Sequence, residues 1–259
     1  MADYSEDYLL NKRVKIFQPT DGYRASTDAV LLAAAVNKIK NGDSVLDVGS
    51  GTGAISLCLA EHWKAANVKI TGLEVQPTLA ELANKSAEAN GFETFLHFEN
   101  CNIFEHKDDF CSFAHVVSNP PYSENDLPSP NPSKATAHNY KQAGLAEWIR
   151  FCTKMIRPQG YFYMINRAEA LEDILAALHG KLGEITIIPL YSKEGQTAKR
   201  VIVRARKDSK APLIIRQPLI IHQADGSYSK EAYAVLREGA VLDLSLIHIS
   251  EPTRLQLIS

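Results

Sequence analysis

A chain of 259 residues that is 45% hydrophobic and 22% charged, with a formal net charge of −2, has room for one large globular α/β domain with short extensions. The near-neutral balance argues against a general nucleic-acid coat, though not against a local basic face, and no apolar run is long enough to cross a bilayer. Met1 to Tyr8 is acidic and polar, unlike a secretory signal, and Cys58, Cys101, Cys111 and Cys152 form neither a CxxC pair nor a zinc spacing, so reduced thiols, no metal and a cytoplasmic location are expected.

Residues 1 to 15 carry little signal. Ile16 to Pro19, followed by Asp21-Gly22, reads as a strand and a turn. Ser26-Thr27-Asp28 then caps an apolar helix, Ala29 to Val36. Asp28 has two readings: a helix-start residue, or one of a group with Arg24 and Thr27 that meets the charged end of a ligand.

Ser44 to Val48 is an apolar run broken only by Asp47, the pattern of a central parallel strand. Gly49, Gly51 and Gly53 follow at alternate positions, then a helix from Ala54 to about Trp63. Glycines at a strand-to-helix turn let backbone approach a ligand, and the helix start offers free N–H groups. A second strand, Val68 to Leu73, ends at Glu74, where an acid can accept from both ribose hydroxyls of a nucleoside. By itself this pattern also fits a dinucleotide-binding fingerprint, through Gly49, Gly51 and Ala54. Pro77 to Asn90 reads as a helix and Thr94 to Glu99 as a strand, with Asn102 just beyond it.

The next strand, Ala114 to Ser118, stops at Asn119-Pro120-Pro121-Tyr122. Neither proline can donate to a ladder, and each holds the residue before it extended. What results is a stiff platform at a strand's carboxyl end. It suits a flat group bearing an NH2: the Asn119 amide oxygen and the Pro120 carbonyl accept its two hydrogens, and Tyr122 stacks on its ring.

Ser123 to Asn139 reads as a long loop, with His138 as a candidate substrate contact. Gly144 to Ile156 is an amphipathic helix, Tyr161 to Asn166 a strand, and Ala168 to His179 a helix. Glu184 to Leu190 and Val201 to Arg206 alternate like an antiparallel pair. Strands and helices alternating at this spacing demand right-handed crossovers and a doubly wound sheet, with ligands beyond the strands' carboxyl ends. Lys193 to Arg216 is rich in Lys and Arg, Lys199 and Arg200 among them; it is either a solvated face or a strip that contacts phosphates. Leu213 to His222 and Gly226 to Tyr228 suggest a hairpin turning at Asp225-Gly226, and Ser229 to Glu238 a short helix. Residues 244 to 259 resemble the translation of a sequencing-library adapter and are read as a non-native tail.

Asn119 to Tyr122 resembles the Asn-Pro-Pro-Tyr motif of methyltransferases that use S-adenosylmethionine on a planar nitrogen. Asp47 to Gly53 resembles the Asp-x-Gly-x-Gly-x-Gly loop of the same enzymes. Together with Gly22 to Leu32, Asp225 to Tyr228 and Ala234 to Ala240, the chain looks like the bacterial valine-tRNA adenine-N6 methyltransferase family from about Gln18 to Leu242. The resemblance implies a Rossmann-like class I fold: a mostly parallel sheet with an antiparallel last strand and a small C-terminal hairpin and helix. It divides the chain into an N-terminal arm and cap helix (1–40), a methyltransferase domain (41–207) and the extension (208–243). It also implies S-adenosylmethionine as cofactor and N6 of an adenine in a tRNA anticodon loop as acceptor, with tRNA as partner and the protein a monomer or weak dimer.

Asn119, Pro120 and Tyr122 are then the expected catalytic residues. The cofactor falls to Arg24, Thr27, Asp47, Gly49, Gly51, Gly53, Glu74, Asn102 and Asn119, with Arg24, Thr27 and Asp28 beside its methionine end. The RNA falls to Pro121, Tyr122, His138, Lys199 and Arg200. Asn102 departs from the Asp usual in this class, although an amide oxygen can still accept from the adenine amine. The rival expectations are a glutamine-amide methyltransferase acting on a release factor and an NAD-dependent or other nucleotide-binding protein.

Overall fold

A strand that is apolar on both faces belongs inside a sheet covered on both sides, and Ser44–Val48 lies there as β3. A computed structural model describes residues 3–22, 24–105, 112–121 and 133–242, without the side chains of 133–143. Before β3 come β1 (Tyr4–Leu9), β2 (Val14–Pro19) and α1 (Thr27–Ala35). After it come α2 (Ala54–Trp63), β4 (Lys69–Glu74), α3 (Pro77–Ala89), β5 (Leu96–Asn100), β6 (Phe113–Ser118) and α4 (Ser133–Met155). The rest is β7 (Ile156–Arg167), α5 (Leu171–Leu178), β8 (Leu182–Lys193), β9 (Arg200–Lys207), β10 (Ile214–Ile215), β11 (Leu219–His222) and α6 (Lys230–Tyr233).

The main sheet has the order β10-β8-β9-β7-β6-β3-β4-β5, with β11 also paired to β8. β3 to β7 are mutually parallel, and β9 runs antiparallel between β7 and β8. This is the expected class of fold. The chain moves outward from β3 through β4 to β5 and then returns to place β6 on β3's other side. Strand order therefore reverses between β3 and β6, the place where open α/β sheets bind ligands.

Successive strand residues feed opposite cores. Val117 and Tyr163 pack with α1 and α2, whereas Val116 and Phe162 pack with α4 and α5. Every residue of α1 from Ala29 to Ala35 is buried, as a helix apolar on all sides requires. It lies against β7, α2 and the C-terminal turns that follow α6, and Leu242 N–H donates to Ala34 O at 2.8 Å.

Three elements differ from expectation. The first residues form a hairpin, β1 with β2, that turns through Leu10, Asn11 and Lys12 at φ of 48°, 53° and 68° without a glycine to announce it. Helix α3 then holds the free edge of β2: the Asn90 amide accepts from Lys15 N–H at 2.9 Å and donates to Lys15 O at 2.7 Å, and Ser86 Oγ accepts from Phe17 N–H. Second, backbone helix begins at Ser133 rather than Gly144, with Gly144 (φ 64°, ψ 167°) as a non-helical break inside α4. Third, β11 pairs in parallel with β8, leaving one bridge, His222 to Tyr228, of the hairpin expected around Asp225-Gly226. Among the described residues, no helix is long and apolar enough to cross a membrane.

Candidate active site

Register brings the glycine turn, Glu74 and Asn119 together. Val48 is level with Leu73 on β4 and with Ser118 on β6. The residues one step on, Gly49, Glu74 and Asn119, therefore share one row at the carboxyl edge, with adjacent strands roughly 5 Å apart. No strand pairing continues past Ser118, as two successive prolines dictate.

The turn itself is held by backbone. Gly49 and Ser50 N–H both donate to Leu73 O, at 2.9 and 3.0 Å, and Gly51 N–H donates to Glu74 Oε2 at 2.8 Å. Gln76 N–H takes the other oxygen, Oε1, at 2.8 Å. Burial raises the Glu74 carboxyl's pKa, and these two amide bonds oppose that. Each oxygen keeps a lone pair for a hydroxyl donor. Gly49 (φ +73°) cannot carry a side chain, because a Cβ would stand 2.7 Å from Trp148 Cζ2. At Gly53 (φ +83°) a Cβ would meet Phe98 at 2.6 Å.

Trp148 is the residue that sequence reasoning missed. Its Nε1–H donates to Ser118 Oγ at 2.8 Å, and Ser118 Oγ–H donates to Val48 O at 2.8 Å. One indole thus covers the glycine turn and ties α4 to the tips of β3 and β6. In the sequence it was one apolar position of an amphipathic helix, and only the helix's crossing over the strand reversal gives it this task.

Asp47 is fully buried, and its Oδ2 accepts from Ser56 Oγ at 2.7 Å. Oδ1 is buried with no partner among the described residues, an environment suited to a neutral carboxyl. Burial pushes the group up to about 7, against the Ser56 bonds and with the help of the Glu74 charge. A folded-state pKa above the unfolded value means that folding takes up a proton, so this contribution to stability is complete below about pH 4 and is lost as pH rises through 7. Replacing Asp47 with Asn is expected to flatten the fall in stability between pH 5 and 7.5 by about 2–3 kcal/mol, as read from urea midpoints. Equal pH slopes in the two proteins would mean that Asp47 folds ionised.

The remaining expected residues are placed as follows. Asn102 is half-buried just past β5; its Oδ1 accepts from Phe104 N–H at 3.1 Å and its Nδ2 donates to Glu105 at 2.9 Å. Arg24 is exposed and directed to the N-terminal hairpin, pairing with Asp7 at 2.6 Å and Ser5 at 3.0 Å. Thr27 and Asp28 line a cleft of about 230 Å³ with Lys199, Arg200, Tyr191 and His222, and Asp28 pairs with Arg200 at 3.0 Å. That cleft is on the same edge, but β9 lies two strands from β6, about 10 Å in the sheet plane. Pro120 is buried and Pro121 half-buried. Tyr122 and the side chain of His138 lie outside the described residues, as do Tyr23, Cys111 and residues 244–259.

The basic stretch from Lys193 to Arg216 is not one surface. β9 crosses the whole sheet, so Arg200 and Lys207 emerge at opposite edges, seven residues or roughly 23 Å apart. Between them Arg204 is buried and donates to Thr186 Oγ1 at 3.0 Å. Lys207 donates to the carbonyls of Ile156 and Thr153. Lys199 and Arg200 lie at the candidate site's edge of the sheet, as does Lys193 at the end of β8. Among the described residues no cluster of His, Cys, Asp and Glu could hold a metal ion.

A family model described as "Methyltransferase domain" matches residues 39–206. A tRNA1(Val) (adenine(37)-N6)-methyltransferase from Porphyromonas gingivalis is 30% identical over 237 residues, which cover 87% of this chain and 91% of the relative. A protein of the same name from Actinobacillus pleuropneumoniae is 29% identical, covering 85% and 91%. Among solved structures, one from Agrobacterium tumefaciens described as a predicted O-methyltransferase has a TM-score of 0.68 at 24% identity, covering 82% of this chain and 96% of that one. A SAM-dependent O-methyltransferase from Thermotoga maritima has a TM-score of 0.52 at 16% identity, covering 74% and 68%. These two structures share the fold.

Proposed function

The chain belongs to the methyltransferase family and, within it, to the tRNA1(Val) (adenine(37)-N6)-methyltransferases, and from this premise we propose that it methylates an adenine in the anticodon loop of a tRNA in the cytoplasm, acting as a monomer or weak dimer. It is an S-adenosylmethionine-dependent N-methyltransferase whose substrate is tRNA and whose acceptor atom is adenine N6. The observation that carries the reading is the shared row of Gly49, Glu74 and Asn119 at the reversal of strand order.

The residues present fit the cofactor. Glu74 beside the glycine turn retains lone pairs for ribose hydroxyls, and Asn102 supplies an amide beside the end of β5 for an adenine edge. Bound there, S-adenosylmethionine supplies an activated methyl group. The chain supplies orientation. An adenine amine is a poor nucleophile because its lone pair is delocalised into the ring. Asn119 Oδ1 and the Pro120 carbonyl accept its two N–H bonds, favour a pyramidal nitrogen and aim the lone pair toward the Gly49 turn. No strong base is required. Tyr122 stacks on the base, a contact worth roughly 1–3 kcal/mol, and a loop adenine needs little unpairing to reach it.

The direct test is transfer of a labelled methyl group to tRNA from cells lacking this protein, with the product located by nuclease digestion and mass spectrometry. One new N6-methyladenine in the anticodon loop is expected. Methylation of a release-factor glutamine with none of tRNA would overturn the reading. In tRNA titrations at several salt concentrations, Lys199→Glu should weaken binding and lower the slope of log affinity against log salt by about one unit or more, as loss of a phosphate contact does. Lys199 is the clean choice, because altering Arg200 would also remove its ion pair with Asp28. Unchanged affinity and slope would leave Lys199 as plain surface.

A further inference from the structure

The opposite, amino-terminal edge of the sheet holds a second polar centre that methyl transfer does not use. His115 on β6, Tyr161 on β7 and Arg206 on β9 are level with one another, and Arg204 lies one pleat further in on the same face. His115 is 1% exposed and Arg204 6%. His115 Nε2 is 3.1 Å from Asp43 Oδ2, and Arg157 Nη2 donates to Asp43 Oδ1 at 2.8 Å. Polar atoms are left over: among the described residues, His115 Nδ1 and Arg204 Nε and Nη1 are buried without a partner. A buried polar nitrogen without a partner is costly, and of these two residues His115 lines the cleft at this edge, with Arg204 behind it.

Over this row opens a cleft of about 150 Å³, with His115 and Asp43 in its wall and Lys38, Lys40, Arg157 and Arg206 around it. Arg206 is held over the Tyr161 ring at 5.4 Å and pairs with Glu184 at 3.3 Å. Lys38 and Lys40 have no ion pair among the described residues. Cations thus outnumber carboxylates here: the two lysines, Arg157 and Arg206 against Asp43 and, behind Arg206, Glu184.

We propose that this cleft binds a phosphate group, carried either by a small phosphate ester or by an RNA backbone. The excess charge is positive, guanidinium forks match phosphate oxygens, and the volume suits one tetrahedral anion better than a whole nucleotide. Burial, and then the Arg157 and Lys40 charges, hold the His115 pKa below its ordinary value against the pull of Asp43. An arriving anion offsets those cations, so Nδ1 can take a proton and donate to the phosphate while Nε2–H stays on Asp43. The site shares no residue with the methyl-transfer centre; phosphate binding itself is independent of the proposed activity, and the RNA-backbone carrier alone rests on tRNA being the substrate.

The test is titration of the full chain with inorganic phosphate in a low-salt, phosphate-free buffer, followed by calorimetry and by the ring-nitrogen shifts of His115. Saturable binding with a shift at Nδ1 is expected. A Lys40→Glu, Arg206→Gln double variant should lose at least tenfold in phosphate affinity while keeping its circular dichroism and its affinity for S-adenosylhomocysteine. Repeating the titration with bound tRNA separates the two carriers. Displacement of phosphate, with weaker tRNA binding by the double variant, identifies the RNA backbone. Phosphate binding indifferent to tRNA identifies a small ester. Absence of saturable phosphate binding, or binding that survives the double variant, would overturn the proposal and assign the buried nitrogens to water.

Discussion

Asn119→Ala is expected to slow methyl transfer by roughly 10²–10³-fold or more, the range seen when one preorganised polar contact to a reacting centre is removed, with cofactor affinity nearly unchanged. Asn119 is the first residue past the last paired position of β6, and the two prolines after it keep the backbone from moving in compensation. Alanine removes one of the two acceptors proposed to hold the amine hydrogens and leaves the other, the Pro120 carbonyl, in place. The glycine turn and Glu74 are anchored on β3 and β4, so the cofactor's share of the site survives. Asn119→Asp keeps an acceptor at that point and should retain more activity than alanine does. Single-turnover rates with saturating tRNA, alongside calorimetry with S-adenosylhomocysteine, separate the two effects. An alanine variant that kept most of its turnover would remove Asn119 from the role assigned to it.

Trp148→Ala is expected to have the largest effect on stability, about 3–5 kcal/mol, as large-to-small changes at buried aromatics do. The indole is 7% exposed, stands over Gly49 and shares an edge contact with Phe104 at 6.1 Å between centroids. Its N–H is also the donor that Ser118 receives at the tip of β6. Trp148→Phe keeps most of the apolar contact and loses that bond, at about 0.5–1.5 kcal/mol. The two variants divide packing from positioning. If the phenylalanine variant folds as stably as this and yet turns over several-fold more slowly with an unchanged KM for tRNA, Trp148 positions the platform. If its kcat is unaltered, the tryptophan serves the core alone. Urea midpoints and steady-state kinetics on both variants decide.

Local chemistry was legible in the sequence wherever a residue's own backbone demands explain it. The glycine turn after β3 and the double proline after β6 are such places, because φ > 0 and a missing N–H constrain the chain whatever packs around them. The parallel sheet and its covering helices were legible for a related reason: β3 and β6 are apolar runs, and α1 is apolar all round. The N-terminal hairpin was not legible, since its turn uses three non-glycine residues with positive φ and the edge of β2 is completed by Asn90 and Ser86, far away in the chain. The basic stretch was misleading because composition ignores where along a strand each residue falls.

The sequence by itself determined the fold class, the glycine turn, the end of β6 before Asn119-Pro120-Pro121 and the family they resemble. These depend on neighbouring residues and on backbone geometry that travels with the chain. Tertiary structure alone decided that Trp148 roofs Gly49, that Asp28 is paired with Arg200, and that Arg204 and His115 are buried with nitrogens left over at the far edge. Each of those facts is set by which strands lie side by side and which helix crosses them, and contacts between residues as far as 30 and 172 positions apart leave no local pattern to read.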